Sequence, residues 1–111
     1  MVPLGTAAPD FQLPDPGGKH FSLASFKDQP ALVVIFMCNH CPYVKHLRLG
    51  LVQVALDYAP RGVAFVGINS NDAEHYPEDT PAKMAEEVKS AGYPFPYLFD
   101  ETQAVAKAYH A

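Results

Sequence analysis

The chain holds two cysteines, in the run Cys38-Asn39-His40-Cys41. A pair so close closes almost no loop, so as a structural staple it would stabilise little. Small stapled domains spread their cysteines along the chain instead. The spacing suits redox chemistry better. A C-x-x-C pair can form a disulfide and break it again. One thiolate attacks a substrate disulfide, and the second thiol resolves the mixed disulfide within the same molecule. Asn39 and His40 lie between the cysteines and Pro42 follows them. These three are placed to tune thiol acidity, His40 most directly, because a histidine titrates near neutral pH.

Such a pair needs elements that hold it. Ala31 to Met37 is apolar throughout and rich in β-branched residues, the pattern of a strand covered on both faces. It ends at Cys38. From Pro42 the apolar positions Val44, Leu47, Leu51, Val54 and Ala55 recur at helical spacing, and proline suits a first helical turn. This helix is expected to stop near Tyr58, before Pro60 and Gly62. Val63 to Asn69 reads as a second buried strand. The cysteines therefore fall at the strand-to-helix junction of a βαβ unit, with a right-handed crossover expected. Free N–H groups at a helix start favour a thiolate and can lower its pKa from about 8.5 into the range of about 3.5 to 7.5.

The flanking segments complete an α/β pattern. Asp15-Pro16-Gly17-Gly18 is turn chemistry between Phe11, Leu13, Phe21 and Leu23, which predicts an N-terminal hairpin over roughly 10–13 and 19–23. Ser25 to Pro30 reads as a polar connector. Thr80 caps and Pro81 opens a helix to about Ala91, ended by Gly92. Tyr93 to Phe99 is extended, and Asp100 is expected to cap a last helix carrying Val105, Ala108 and Tyr109. Asp72, Glu74, His75, Glu78 and Asp79 read as a solvated acidic loop. His20, His46 and His110 receive no role, and Tyr43, Tyr58 and Tyr76 read as packing residues with exposed hydroxyls.

At 111 residues, 49% of them hydrophobic, the chain has the size and the apolar content of one domain spanning 1–111. A net charge of −4, with no block of Lys or Arg, argues against nucleic acid as a partner. No stretch approaches the roughly 18 apolar residues of a membrane span. Met1 to Gly5 lacks the basic start of a signal peptide, so a soluble cytoplasmic protein is expected.

Phe36-Met37-Cys38-Asn39-His40-Cys41-Pro42-Tyr43-Val44-Lys45 resembles the signature of thioredoxin-like proteins in the peroxiredoxin/TlpA-like branch. Ala8-Pro9-Asp10-Phe11 with Leu13, Phe65 to Asp72, Tyr76 to Asp79 and Phe95 to Gln103 are similar to other segments of that family. The resemblance implies an α/β thioredoxin-like fold, with Cys38 attacking and Cys41 resolving, no cofactor, and a disulfide-containing protein or small thiol as substrate. Met37 stands where thioredoxin proper has tryptophan, and the strand before the motif lacks the buried acid that thioredoxin keeps there. In the family the last helix runs into a cis-proline loop, two strands and a helix. The chain is thus expected to be C-terminally incomplete, with an open edge beside residues 31–37 that a second copy could cover as a homodimer.

Three rival readings stay open. A thiol peroxidase resembles this site, although the threonine of the T-x-x-C motif is replaced by Cys38. A zinc or copper site could use Cys38, Cys41 and His46 with His40 near, but a structural zinc site wants a second ligand pair. A truncated module that folds without turnover is the third.

Overall fold

The computed structural model describes residues 3–39, 42–71 and 77–111. Its N-terminal hairpin pairs β1 (Gln12–Pro14) with β2 (His20–Ser22), Leu13 opposite Phe21. The turn is built as its residues demand. Asp15 Oδ1 accepts the N–H groups of Gly17 and Lys19, both at 2.9 Å, and Gly18 takes a φ of 91°. The expected polar connector is in part ordered: Leu23–Phe26 forms a 3-10 turn, because Ser25 Oγ accepts the Ser22 N–H at 3.0 Å.

The central sheet is parallel, in the order β3 (Ala31–Phe36), β4 (Val63–Asn69), β5 (Tyr97–Phe99). Between β3 and β4 runs α1 (Pro42–Tyr58), so the expected βαβ unit is present and Pro42 is the first helical residue. Beyond α1 a 3-10 turn, Ala59–Arg61, leads to Gly62 at φ 82°. A Cβ there would sit 2.8 Å from Pro30 Cδ, so both the dihedral and the space require glycine. α2 (Pro81–Ala91) begins as expected, with Thr80 Oγ1 accepting the Lys83 N–H at 3.4 Å, and Gly92 ends it at φ 71°. α3 (Ala104–Ala108) is preceded by Gln103 at φ 64°, not directly by Asp100. Asp100 still serves its start, because its carboxylate accepts the N–H groups of Val105 at 3.4 Å and Ala106 at 3.0 Å.

Strand alternation divides the core between two faces. Phe65, Tyr97 and Met37 point to the side of α1 and α2, packing with Ala55, Met84 and Phe95. Val66, Ile68 and Leu98 point to the other side, packing with Phe11 and Leu13 of the hairpin region and Val105 of α3. Tyr109 locks this second layer: its hydroxyl donates to the Pro9 carbonyl at 2.6 Å, and its ring lies 5.7 Å from that of Phe36.

β4 is the buried strand, whereas β3 is more exposed than its apolar run suggests. Val33 retains 38% of its surface. The reason is position. β3 has β4 on one side and, among the described residues, no strand on the other. Along that edge an apolar groove of about 490 Å³ runs between Ile35 and Met37 and the α1 residues Leu47, Leu51 and Val54. Among the described residues no helix is long and apolar enough to cross a membrane.

Candidate active site

Cys38 lies just past the end of β3. The ladder continues one residue beyond the strand, since the Met37 N–H donates to the Ile68 carbonyl at 2.9 Å, and then the chain turns away. The Met37 side chain is buried against the α1/α2 side, while Cys38 is half-buried. Cys38 borders a cleft of about 430 Å³ with Phe36, Ile68, Ser70, Asn71 and Lys107 along its wall. A thiol there has both a rigid backbone behind it and open space in front. His40 and Cys41 lie outside the described residues, as does the side chain of His46. Pro42, the first residue of α1, places the helix start four residues beyond Cys38.

Asn39 is 8% exposed, and its environment is a polar network below the loop. Its backbone N–H donates to Asp79 Oδ1 at 2.6 Å. Its side-chain Oδ1 accepts from the Tyr97 hydroxyl at 2.9 Å. Asn69, at the end of β4, donates through Nδ2 to Asp79 Oδ1 at 3.0 Å and to the Tyr97 oxygen at 3.2 Å. Asn71 donates from Nδ2 to Asp79 Oδ2 at 3.1 Å, and its N–H reaches Asn69 Oδ1 at 3.0 Å. Residues from β4, β5 and the segment before α2 thus form one network around Asn39, the residue that follows Cys38. Buried polar groups so linked rigidify what they hold.

Asp79 is the clear correction to the sequence reading. Expected in a solvated acidic loop, it is fully buried. Its partners stand up to 40 positions away in the chain, so nothing local marks it. The available signal was the asparagine that ends the apolar run of β4. A polar residue at that point, with a second at Asn71, asks for a buried partner.

Two phenols adjoin the site. Burial pushes the Tyr97 hydroxyl far above its ordinary range; the bond from Asn69 opposes this, and the charges of Asp79, Tyr93 and Cys38 add to it. Burial also pushes Tyr93 up, to about 12, with Glu87 raising and Arg48 lowering it and Cys38 adding a smaller rise. Both stay protonated near neutral pH, so Tyr97 remains a donor to Asn39. Arg48 of α1 pairs with Glu87 of α2 at 3.4 Å. Arg48 Nε, Glu87 Oε2 and the Tyr93 hydroxyl are buried without a hydrogen-bond partner among the described residues.

Comparison with known proteins gives this geometry a context. Residues 4–111 match the family model described as AhpC/TSA family. The chain is 29% identical over 106 residues to a chloroplastic peroxiredoxin Q of Oryza sativa subsp. japonica, covering 96% of this chain and 45% of that protein. Among solved structures, a hypothetical protein from Sinorhizobium meliloti 1021 matches with a TM-score of 0.96 and 55% identity, over 98% of this chain and 60% of that one. A thiol:disulfide interchange protein of the thioredoxin family from Chlorobium tepidum TLS matches with a TM-score of 0.75 and 28% identity, over 97% and 68% respectively. The chain spans about half the length of the curated relatives it matches. The expected thioredoxin-like fold of the peroxiredoxin/TlpA-like branch is the fold observed.

Proposed function

Since the chain belongs to the AhpC/TSA family, we propose that it is a thiol-disulfide oxidoreductase working through Cys38 and Cys41. The observation that carries this reading is the placement of Cys38: past the end of β3, half-buried, on an open cleft, with its neighbouring peptide pinned by Asp79. The likeness to the Chlorobium thiol:disulfide interchange protein supports it.

In the reaction the Cys38 thiolate attacks one sulfur of a substrate disulfide. A mixed disulfide forms and the other substrate sulfur leaves as a thiolate, taking a proton from water. Cys41 then attacks the mixed disulfide at Cys38. The second substrate thiol leaves, and the Cys38–Cys41 disulfide holds the oxidation equivalent. Two electrons have passed to the substrate, and the reverse sequence oxidises a dithiol. His40, Asn39 and Pro42 tune the acidity of the pair in this reading. No bound cofactor is needed, because the cysteines carry the electrons.

A second reading, thiol peroxidase, is favoured by the likeness to peroxiredoxin Q. There a thiolate attacks a hydroperoxide, giving a sulfenic acid and an alcohol or water. The other cysteine condenses with it and releases water. One trapping experiment separates the two. With Cys41→Ser, incubation with an aromatic disulfide is expected to leave a stable mixed disulfide at Cys38, found by mass. With Cys38→Ser no such adduct should accumulate. Slow exchange in the unsubstituted protein, together with fast formation of a sulfenic acid at Cys41 by hydrogen peroxide, would move the assignment to the peroxidase.

A further inference from the structure

The cleft that Cys38 borders carries two kinds of surface. Phe36 and Ile68 give it apolar area, and Ser70, Asn71, Gln103 and Lys107 give it polar area. Its volume of about 430 Å³ lies in the range of small-molecule sites. Two of the polar residues are already committed. The Ser70 hydroxyl donates to Asp100 Oδ2 at 2.7 Å, and Asn71 Nδ2 donates to Asp79 Oδ2 at 3.1 Å. The other two belong to the start and the last turn of α3. The Lys107 N–H donates to the Gln103 carbonyl at 3.1 Å, so the two side chains stand one turn apart on the same side. Lys107 is exposed and, among the described residues, is the one charged side chain lining the cleft, with no carboxylate paired to it.

Gln103 holds φ at 64°, in the left-handed region that a residue other than glycine rarely takes. Such a conformation persists where its surroundings impose it, and it gathers at ligand-binding sites. Here Asp100 imposes it. Its carbonyl accepts the Gln103 N–H at 3.2 Å, and its carboxylate accepts the N–H groups of Val105 and Ala106. An ammonium beside a primary amide offers the donors that a carboxylate needs. Asp79 and Asp100 do not supply that carboxylate, because both are buried and neither lines the cleft.

We propose that Gln103 and Lys107 form a carboxylate subsite, and that the substrates of Cys38 are small disulfides carrying a carboxylate near their sulfurs. The carboxylate docks on Lys107 while the Cys38 thiolate attacks the nearer sulfur. A mixed disulfide forms, and the other half of the substrate leaves as a thiolate. The claim about substrates rests on the exchange reading above, whereas the subsite itself does not.

The subsite is tested with two alkylating reagents of similar shape, anionic iodoacetate and neutral iodoacetamide, in a Cys41→Ser background. With either, the Cys38 thiolate displaces iodide and a thioether forms. The ratio of the two rates divides out the acidity of Cys38, whatever sets it, and a purely structural defect would slow both alike. A unit charge across a solvated cleft is worth about threefold to tenfold in such a ratio. Lys107→Met is expected to lower the iodoacetate-to-iodoacetamide ratio by about that factor, Lys107→Glu to lower it further, and Lys107→Arg to keep it. An equal ratio in the parent and in Lys107→Met would overturn the proposal.

The same background then takes two disulfides of similar length, dithiodipropionate and hydroxyethyl disulfide, with the adduct at Cys38 followed by mass. The acid-to-alcohol rate ratio is expected to fall in Lys107→Met by a similar factor. Exchange with both, at a ratio that Lys107→Met leaves unchanged, would sink this proposal alone. A lowered alkylation ratio with neither disulfide reacting would sink the exchange reading and leave the carboxylate subsite.

Discussion

Tyr93 keeps its ring inside the core, stacked on Phe95 at 5.2 Å and edge-on to Tyr97 at 5.8 Å, while its hydroxyl has no hydrogen-bond partner among the described residues. A buried hydroxyl that has lost water without gaining a partner costs stability. Tyr93→Phe is therefore expected to be neutral or stabilising by about 1 kcal/mol at pH 7. The alkaline limb carries a second signature. Folding raises the phenol from 10.0 to about 12. Between those values the unfolded chain has released the proton and the folded chain has not, so stability falls as pH rises through that window. The loss attributable to Tyr93 is at most about 3 kcal/mol. Urea unfolding at pH 9, 10, 11 and 12 checks both points. Tyr93→Phe should flatten the decline, and an unchanged slope would contradict the assignment. At this scale the sequence was partly legible. Cys38 stood out by its type and its spacing from Cys41, whereas Asp79 did not, because its network exists only once Asn39, Asn69 and Asn71 have been brought around it.

Gly67 shows how β4 supports the segment that carries Cys38. It sits on the α1/α2 side of the strand, where a Cβ would lie 2.9 Å from Met37 Sδ and 3.2 Å from ring atoms of both Phe95 and Tyr97. Met37 immediately precedes Cys38, and Tyr97 holds Asn39. A methyl group at Gly67 would press on both supports at once. Gly67→Ala is expected to destabilise by about 1–3 kcal/mol through overpacking, read as a lower urea midpoint at unchanged slope. A variant as stable as the parent would show that Met37 yields without cost. The elements themselves were largely readable. Turn residues at 15–18, the capping threonine at 80 and the closing glycines at 62 and 92 act through their own neighbours, so local chemistry announces them. β3 was read as covered on both faces, because an apolar run reports what a strand can bury and not which neighbours it has. The start of α3 was displaced for a similar reason: Asp100 does accept helix N–H groups, but from three residues before Gln103.

Among the described residues, a three-stranded parallel sheet carries a separate apolar layer on each face, one of them including the N-terminal hairpin, and Cys38 follows the end of β3. This architecture was legible from the order of apolar runs, turns and helix starts, since a βαβ unit leaves few ways to connect its parts. The open side of β3 was also expected, from the resemblance and not from periodicity. The sequence could not reveal how three asparagines, one aspartate and one tyrosine close over each other, because the contacts that tie Tyr97 to Asn69 and Asn39 cross 28 and 58 positions and leave no local trace. The central claim is that Cys38 and Cys41 form one reversible two-electron couple. It is tested most directly by equilibrating the protein with glutathione at graded redox ratios, quenching with an alkylating reagent and weighing the products. The account expects a single transition between the dithiol and the internal disulfide, abolished in Cys38→Ser. Thiols that remain alkylatable at every ratio, or that carry bound zinc or copper through the titration, would contradict it.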